Sequence, residues 1–260
     1  MAAAMTDAER QARIELAACY RIVARCGMDS LIYNHITARV PDSPGHFLIN
    51  PFGLLYEEIT ASSLLKIDIE GNVIAAPDLP YGFNHAGYII HSAIHDARHD
   101  VGCVLHTHTR AGIGVASMRD GLMPLTQNAL RFYGRVAYHD FEGPVVELGE
   151  RNRLVAALGE RDVLILRNHG LLTCGRSVAE AFLLMYTLEF ACKLQMDLLA
   201  TGQQLVPIPD DVREKTARVL GGRGTRRQTE AEGKLSDWTG ALEWDALRRR
   251  LDREDPSYRD

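Results

Sequence analysis

Short apolar runs bounded by glycine, proline and polar turn residues recur through the first two hundred residues, with segments of helical spacing between them. This interleaving constrains the chain more than any other feature, because half-buried strands and amphipathic helices must cover one another. Residues 7 to about 26 carry Ile14, Leu16, Ala17, Tyr20, Ile22 and Val23 near helical spacing, and Gly27 stands where a helix would stop. Asn34 to Val40 alternates in strand fashion, Pro41 to Gly45 reads as a turn, and Phe47 to Ile49 as a second strand. Leu65–Ile69 and Val73–Ala75 flank Gly71-Asn72 as a hairpin, and Thr60 to Ser63 reads as a cap before a short helical turn. Helices are predicted at 85–97, 110–118, 150–158 and 177–201. Strands are predicted at Val101–Leu105, within 135–147, at Val163–Leu166 and at Leu171–Thr173. The pattern predicts one α/β or α+β core over residues 7–201. Residues 203–236 hold two prolines, Gly221-Gly-Arg-Gly224 and few large apolar side chains, and read as a linker or partly ordered arm. Leu242–Leu251, with Trp244, reads as a terminal helix that docks on a core or on a neighbouring subunit.

Composition narrows the function classes. Of 260 residues, 46% are hydrophobic and 24% charged, which excludes wholesale disorder and coiled coil. A net charge of −5 supplies no basic field for nucleic acid or a membrane surface. No stretch approaches the ~18 uninterrupted apolar residues of a membrane span. The five cysteines are odd in number, scattered and without CxxC spacing, which points to a reducing compartment. The N-terminus has no basic segment followed by an apolar run, so a cytoplasmic location is expected. No GxGxxG after a strand, GxxxxGK[ST] or GxSxG occurs.

The histidines carry the chemistry. Val104-Leu105-His106-Thr107-His108 is an apolar strand ending in histidines at i and i+2, which share one face about 6.5–7 Å apart at Cα. That geometry chelates a divalent metal, although such a pair also arises by chance at a strand end. Leu164 to Leu172 delivers His169 followed by Gly170, which permits a turn or a close backbone approach. Three strand-end histidines would make an open metal site; a satisfied core histidine is the alternative for His169. His91 and His95 form an i, i+4 pair without the glutamate of HExxH, and a structural role suits them better. His85 and Asn84 sit where a helix begins, a place that favours a substrate carboxylate or a plain cap. Asn34, Asn50 and Gly53 interrupt apolar runs, as substrate-binding groups or as turn chemistry.

At these motifs the chain resembles the class II aldolase/adducin family over about residues 8–201, with wording closest to adducin head domains and their bacterial relatives. The resemblance rests on Leu31 to Thr37, Asn50 to Tyr56, Thr60 to Ser63, His91 to His95, Asp100 to Thr109 and Leu166 to Leu171, in the family's order. It implies an α/β class of fold, three-layer α/β/α with a largely antiparallel central sheet, over a domain of residues 1–202, followed by a C-terminal arm, 203–260, with a short terminal helix. It also implies a homotetramer with sites between subunits, and a divalent metal, most often Zn2+ with Mn2+ or Fe2+ as alternatives, on His106, His108 and His169. Sugar-phosphate aldolases of the family carry a catalytic glutamate about nineteen residues before the first ligand. Here that count falls on Gly87, and no Asp or Glu lies between Leu79 and Ile94. The serine pair that holds substrate phosphate is replaced by Phe83-Asn-His-Ala86. The expected activity is therefore not that of a phospho-sugar aldolase. It is metal-dependent carbon–carbon cleavage of a small hydroxy- or oxo-carboxylate, by decarboxylation or retro-aldol reaction through a metal-stabilised enolate. His85 is the candidate for carboxylate binding or proton donation, with Tyr138 and His139 in reserve. The alternatives are a non-catalytic adducin-like oligomeric binding module and a non-haem iron oxygenase on the same three histidines.

Overall fold

Helix α1 (Asp7–Arg25) starts where the Thr6 hydroxyl accepts the Glu9 N–H, and its inner face buries Leu16, Tyr20 and Val23. In this computed structural model the described residues are 5–143, 148–221, 226–228, 235–237 and 240–260. Four strands follow α1: β1 (His35–Arg39), β2 (His46–Ile49), β3 (Leu65–Asp68) and β4 (Val73–Ala75). Then come α2 (His85–Ala97), β5 (Cys103–Thr107), α3 (Arg110–Ala116), α4 (Gln127–Leu130), β6 (Val136–His139) and α5 (Leu148–Leu158). The chain continues through β7 (Val163–Leu166), β8 (Gly170–Gly175), α6 (Val178–Ala200), α7 (Asp210–Leu220), the short pair β9 (Arg226–Gln228) and β10 (Leu235–Asp237), and α8 (Ala241–Glu254).

β1 to β8 form one eight-stranded sheet in the order β4-β3-β2-β1-β5-β8-β7-β6. All its pairs are antiparallel except β6 with β7. Strand alternation sends side chains to two helical layers. Ile36, Leu48, Leu105 and Ile165 join α1, α3 and α6 on one side. Val104, Leu164 and Leu172 join Ile90 and Ile94 of α2 and Leu154 and Leu158 of α5 on the other. Phe47, Ile49 and Ile67 extend that second layer beneath Phe83 and Tyr88. This is the three-layer α/β/α arrangement with a largely antiparallel sheet.

The structure differs from the sequence reading at α4, for which no helix was expected, and in two further places. Residues 203–236 are not all linker, because α7 lies within them: Pro209 precedes Asp210 and Asp211 in its first turn, and it buries little beyond Ala217. Six of its eleven residues are charged, so the segment reads as polar despite Val212, Val219 and Leu220. Of the strands predicted within 135–147, only β6 forms, and residues 144–147 lie outside those described. Helix α8 packs on α1 and α6 of its own chain. Trp244 is buried 5.6 Å from Phe182, its indole N–H donates to Glu15 at 2.6 Å, and Arg21 pairs with Asp255 at 2.8 Å.

Candidate metal centre

β5 lies in the middle of the sheet between β1 and β8, and it ends by delivering His106 and, just beyond its last residue, His108. The Nδ1–H of His106 donates to the carbonyl of Leu171 at 2.8 Å, which fixes the ring and turns Nε2 outward. Thr109 anchors the chain after His108: its hydroxyl accepts the Gly112 N–H at 3.1 Å to cap α3 and donates to the buried carboxylate of Glu189. His169 comes from the tight turn between β7 and β8. Asn168 adopts φ 56° there, a left-handed conformation that asparagine tolerates, and the His169 N–H returns to Leu166 at 3.1 Å. Gly170 then passes so close to β5 that a Cβ would overlap the Thr107 carbonyl oxygen and press on both His108 and His106 at 3.2 and 3.3 Å. Glycine is required for close approach here, as the sequence suggested.

Three Nε2 atoms converge as a result. His106 and His108 stand 2.7 Å apart, and His108 and His169 stand 2.9 Å apart. All three ligand atoms lie within 4.8 Å of one another, and no other cluster of this kind occurs among the described residues. Burial is the main force on their protonation. It holds His106 well below the ordinary imidazole range, with His108 and His169 adding to the effect. His108 is lowered by burial, and His169 is pushed down to about 4 by burial and then by His108. Near neutral pH the rings are uncharged and present lone pairs, the state a metal requires. Three neutral imidazoles without a thiolate or carboxylate fit a divalent ion that keeps open positions for small ligands. The five cysteines are all free, and each is pushed up by burial, so none offers a thiolate.

The centre opens into a largely apolar cavity of about 230 Å3. Asn84, Gly87 and Ile90 form its α2 side, His35 stands beside His106, and Tyr33 and Phe141, both exposed, stand at its rim. The cavity therefore brings together His106, His108, His169 and Asn84. It does not gather the other candidates. The Asn50 amide accepts from Tyr20 at 2.9 Å and donates to the carbonyl of Pro51 at 3.3 Å, so it serves the fold. Gly53, at φ 147°, lies under the Tyr81 ring. Asn34 is buried with neither amide atom hydrogen-bonded among the described residues, but outside the cavity wall. His85 is exposed and lies against Phe83, ring centres 4.5 Å apart, rather than facing the centre. The Tyr138 hydroxyl accepts the Leu122 N–H at 3.1 Å, and its ring lies 4.2 Å from the Arg167 guanidinium. His139 stands 3.8 Å from Glu142, in a recess that shares Phe141 and His169 with the cavity. His91 and His95 both bond the Thr37 hydroxyl at 2.8 Å, in the structural role their spacing suggested. His35 is the cavity residue that local sequence spacing misses, because the β1–β5 register places it.

Residues 14–196 match the family described as class II aldolase and adducin N-terminal domain. An aldolase II superfamily protein of Pseudomonas syringae, of known structure, is 46% identical over 98% of each chain, with a TM-score of 0.89. An L-fuculose 1-phosphate aldolase of Glaciozyma antarctica is 29% identical over 99% of this chain and 97% of its own, with a TM-score of 0.79. Rat alpha-adducin is 42% identical over 94% of this chain, which spans 33% of that relative's length. The sheet order, the converging histidines and these matches agree, and the chain belongs to the class II aldolase and adducin family.

Proposed function

We propose that the protein is a cytoplasmic, homotetrameric, zinc-dependent carbon–carbon lyase acting on a small hydroxy- or oxo-carboxylate. The observation that carries this reading is the convergence of three uncharged imidazoles on one small apolar cavity. A divalent cation there would polarise the oxygens of a chelating carboxylate and stabilise the negative charge that develops as the carbon–carbon bond breaks. The chain's own groups do the rest. The Leu171 carbonyl holds His106 in register. The Asn84 amide offers hydrogen bonds to the polar end of the ligand, while Ile90 and Phe141 limit water. The α2 wall has Gly87 and no carboxylate between Leu79 and Ile94. A reaction needing a base at the start has none on that wall, whereas decarboxylation needs only a late proton donor. That supports decarboxylation over retro-aldol cleavage.

The match to alpha-adducin favours a second reading, a binding module without turnover. One experiment separates the two. Metal content per subunit is measured on untagged protein purified without chelator, beside His106→Ala and His169→Ala variants. A panel of hydroxy- and oxo-acids is then screened for carbon dioxide or carbonyl release. Near-stoichiometric zinc lost in both variants, with chelator-sensitive turnover, is the expected result. Bound metal with no turnover on any acid leaves the binding module. Iron in place of zinc turns the assay to oxygen consumption. No metal in the parent protein overturns the lyase.

A further inference from the structure

We propose that His35 is a ligand-contacting residue of the cavity, its imidazole hydrogen-bonding an oxygen of the molecule held at the three-histidine centre. The proposal rests on the reading of those histidines as a metal centre. It arises from the sheet register. β1 pairs antiparallel with β5 so that His35 lies directly opposite His106, and both side chains point to the α2 layer. The His35 ring centre is 5.4 Å from that of His106 and 4.2 Å from that of His91, and the ring is part of the cavity wall.

Its hydrogen bonding sets it apart. His106 uses Nδ1 on the Leu171 carbonyl, and His91 and His95 each bond Thr37. His35 is 3% exposed, yet neither ring nitrogen has a hydrogen-bond partner among the described residues. The backbone of Gly87 leans on the ring without closing a bond of good geometry. A buried imidazole offers one N–H and one lone pair, and leaving both unmet is costly. Packing alone would be served better by an apolar ring.

Gly87 belongs to the same device. A Cβ at position 87 would come within 2.5 Å of His35 Nε2 and closer still to Cε1 and Nδ1. The nitrogen-bearing edge of the imidazole thus fills the space a side chain on α2 would take. Helix α2 turns bare backbone to the cavity there, and β1 supplies the functional group instead. An uncharged imidazole donates to a carboxylate or ketone oxygen and accepts from a hydroxyl. It therefore suits α-oxo and α-hydroxy acids alike, and selects against ligands with no oxygen beside the chelating pair.

The test uses full-length protein loaded with Co2+, whose visible absorption reports the centre, and oxalate as a chelating probe that is not turned over. His35→Phe keeps the ring and removes its nitrogens, while His35→Gln restores a donor and an acceptor. The expected result is full cobalt stoichiometry in all three proteins. Oxalate affinity should fall about tenfold to a hundredfold in His35→Phe and recover most of the way in His35→Gln. Parent-like oxalate affinity in His35→Phe overturns the proposal and makes the ring a space-filler. Loss of cobalt in both variants overturns it by placing His35 among the metal's own supports, and so does a parent cobalt spectrum that oxalate leaves unchanged. A parent protein that takes up no cobalt overturns the metal reading, and this proposal with it.

Discussion

Gly170 lies so close to the carbonyl of Thr107 that no side chain can stand between them. The two residues belong to neighbouring strands, and the close approach sits where all three candidate ligands meet. Gly170→Ala should push β8 away from β5 at that end. We expect a loss of about 2–4 kcal/mol in stability. Metal affinity should fall at least about tenfold although no ligand has changed. Urea unfolding and a competitive chelator titration measure the two effects, and parent-like values in both would show that the strands have room to spare.

Tyr20 ties α1 to the strands that frame the site. Its buried hydroxyl accepts the Ile36 N–H at 2.8 Å and donates to the Ile36 carbonyl or to the Asn50 amide oxygen. Tyr20→Phe leaves these partners buried and unmet. A loss of about 2 kcal/mol is expected from the shift in urea midpoint, with the metal centre intact.

The buried histidines make stability depend on pH. His35 and His95 are pushed down to about 3, in each case mainly by burial, and His169 to about 4. In the unfolded chain these groups titrate near 6.5. Between 6.5 and the folded values the unfolded state binds more protons. Their full contribution is therefore present above pH 6.5 and is lost as pH falls through that window. At pH 5 His35 and His95 each account for about 2 kcal/mol of lost stability relative to pH 7. Against a total of about 5–15 kcal/mol this is a large share. Metal-free protein should show urea midpoints that drop steadily from pH 7 to pH 5, with a shallower drop in His95→Gln. Equal midpoints across that range would contradict the assignment.

Trp244 holds the last helix to the first through Glu15 and to α6 through Phe182. Trp244→Ala removes a large buried side chain and leaves the Glu15 carboxylate without its indole donor. We expect about 3–5 kcal/mol of destabilisation in thermal or urea unfolding. Limited proteolysis should then cut α8 sooner than in the parent.

Much of this was legible in the chain itself, and the reason is locality. A strand's two-residue period puts His106 and His108 together, and Gly170 beside His169 signals a close approach; neither inference needs distant contacts. Apart from α4 and the stretch after β6, strand and helix positions through β8 follow from the same short-range patterns. His35 was not legible in this way, because its neighbour His106 is chosen by register across β1 and β5. α7 was not legible because six of its eleven residues are charged and Pro207 and Pro209 stand just before it, so its few apolar residues read as part of an arm. His85 stands at a helix start as its spacing suggested, but its ring turns outward toward Phe83, a direction that spacing does not encode.

The pairing of β5 with β8 also bears on how the protein comes to hold an ion at all. His108 and His169 are 61 residues apart in the chain, and they meet only once these two central strands have joined. The unfolded polypeptide offers a cation little more than the His106–His108 pair, too weak a grip to organise the rest. Refolding should therefore proceed at the same rate with or without the ion, which binds after the sheet has closed. Its influence then falls on the reverse reaction, slowing escape from the native state, so the metal would act as a latch on the finished fold rather than as a seed for it.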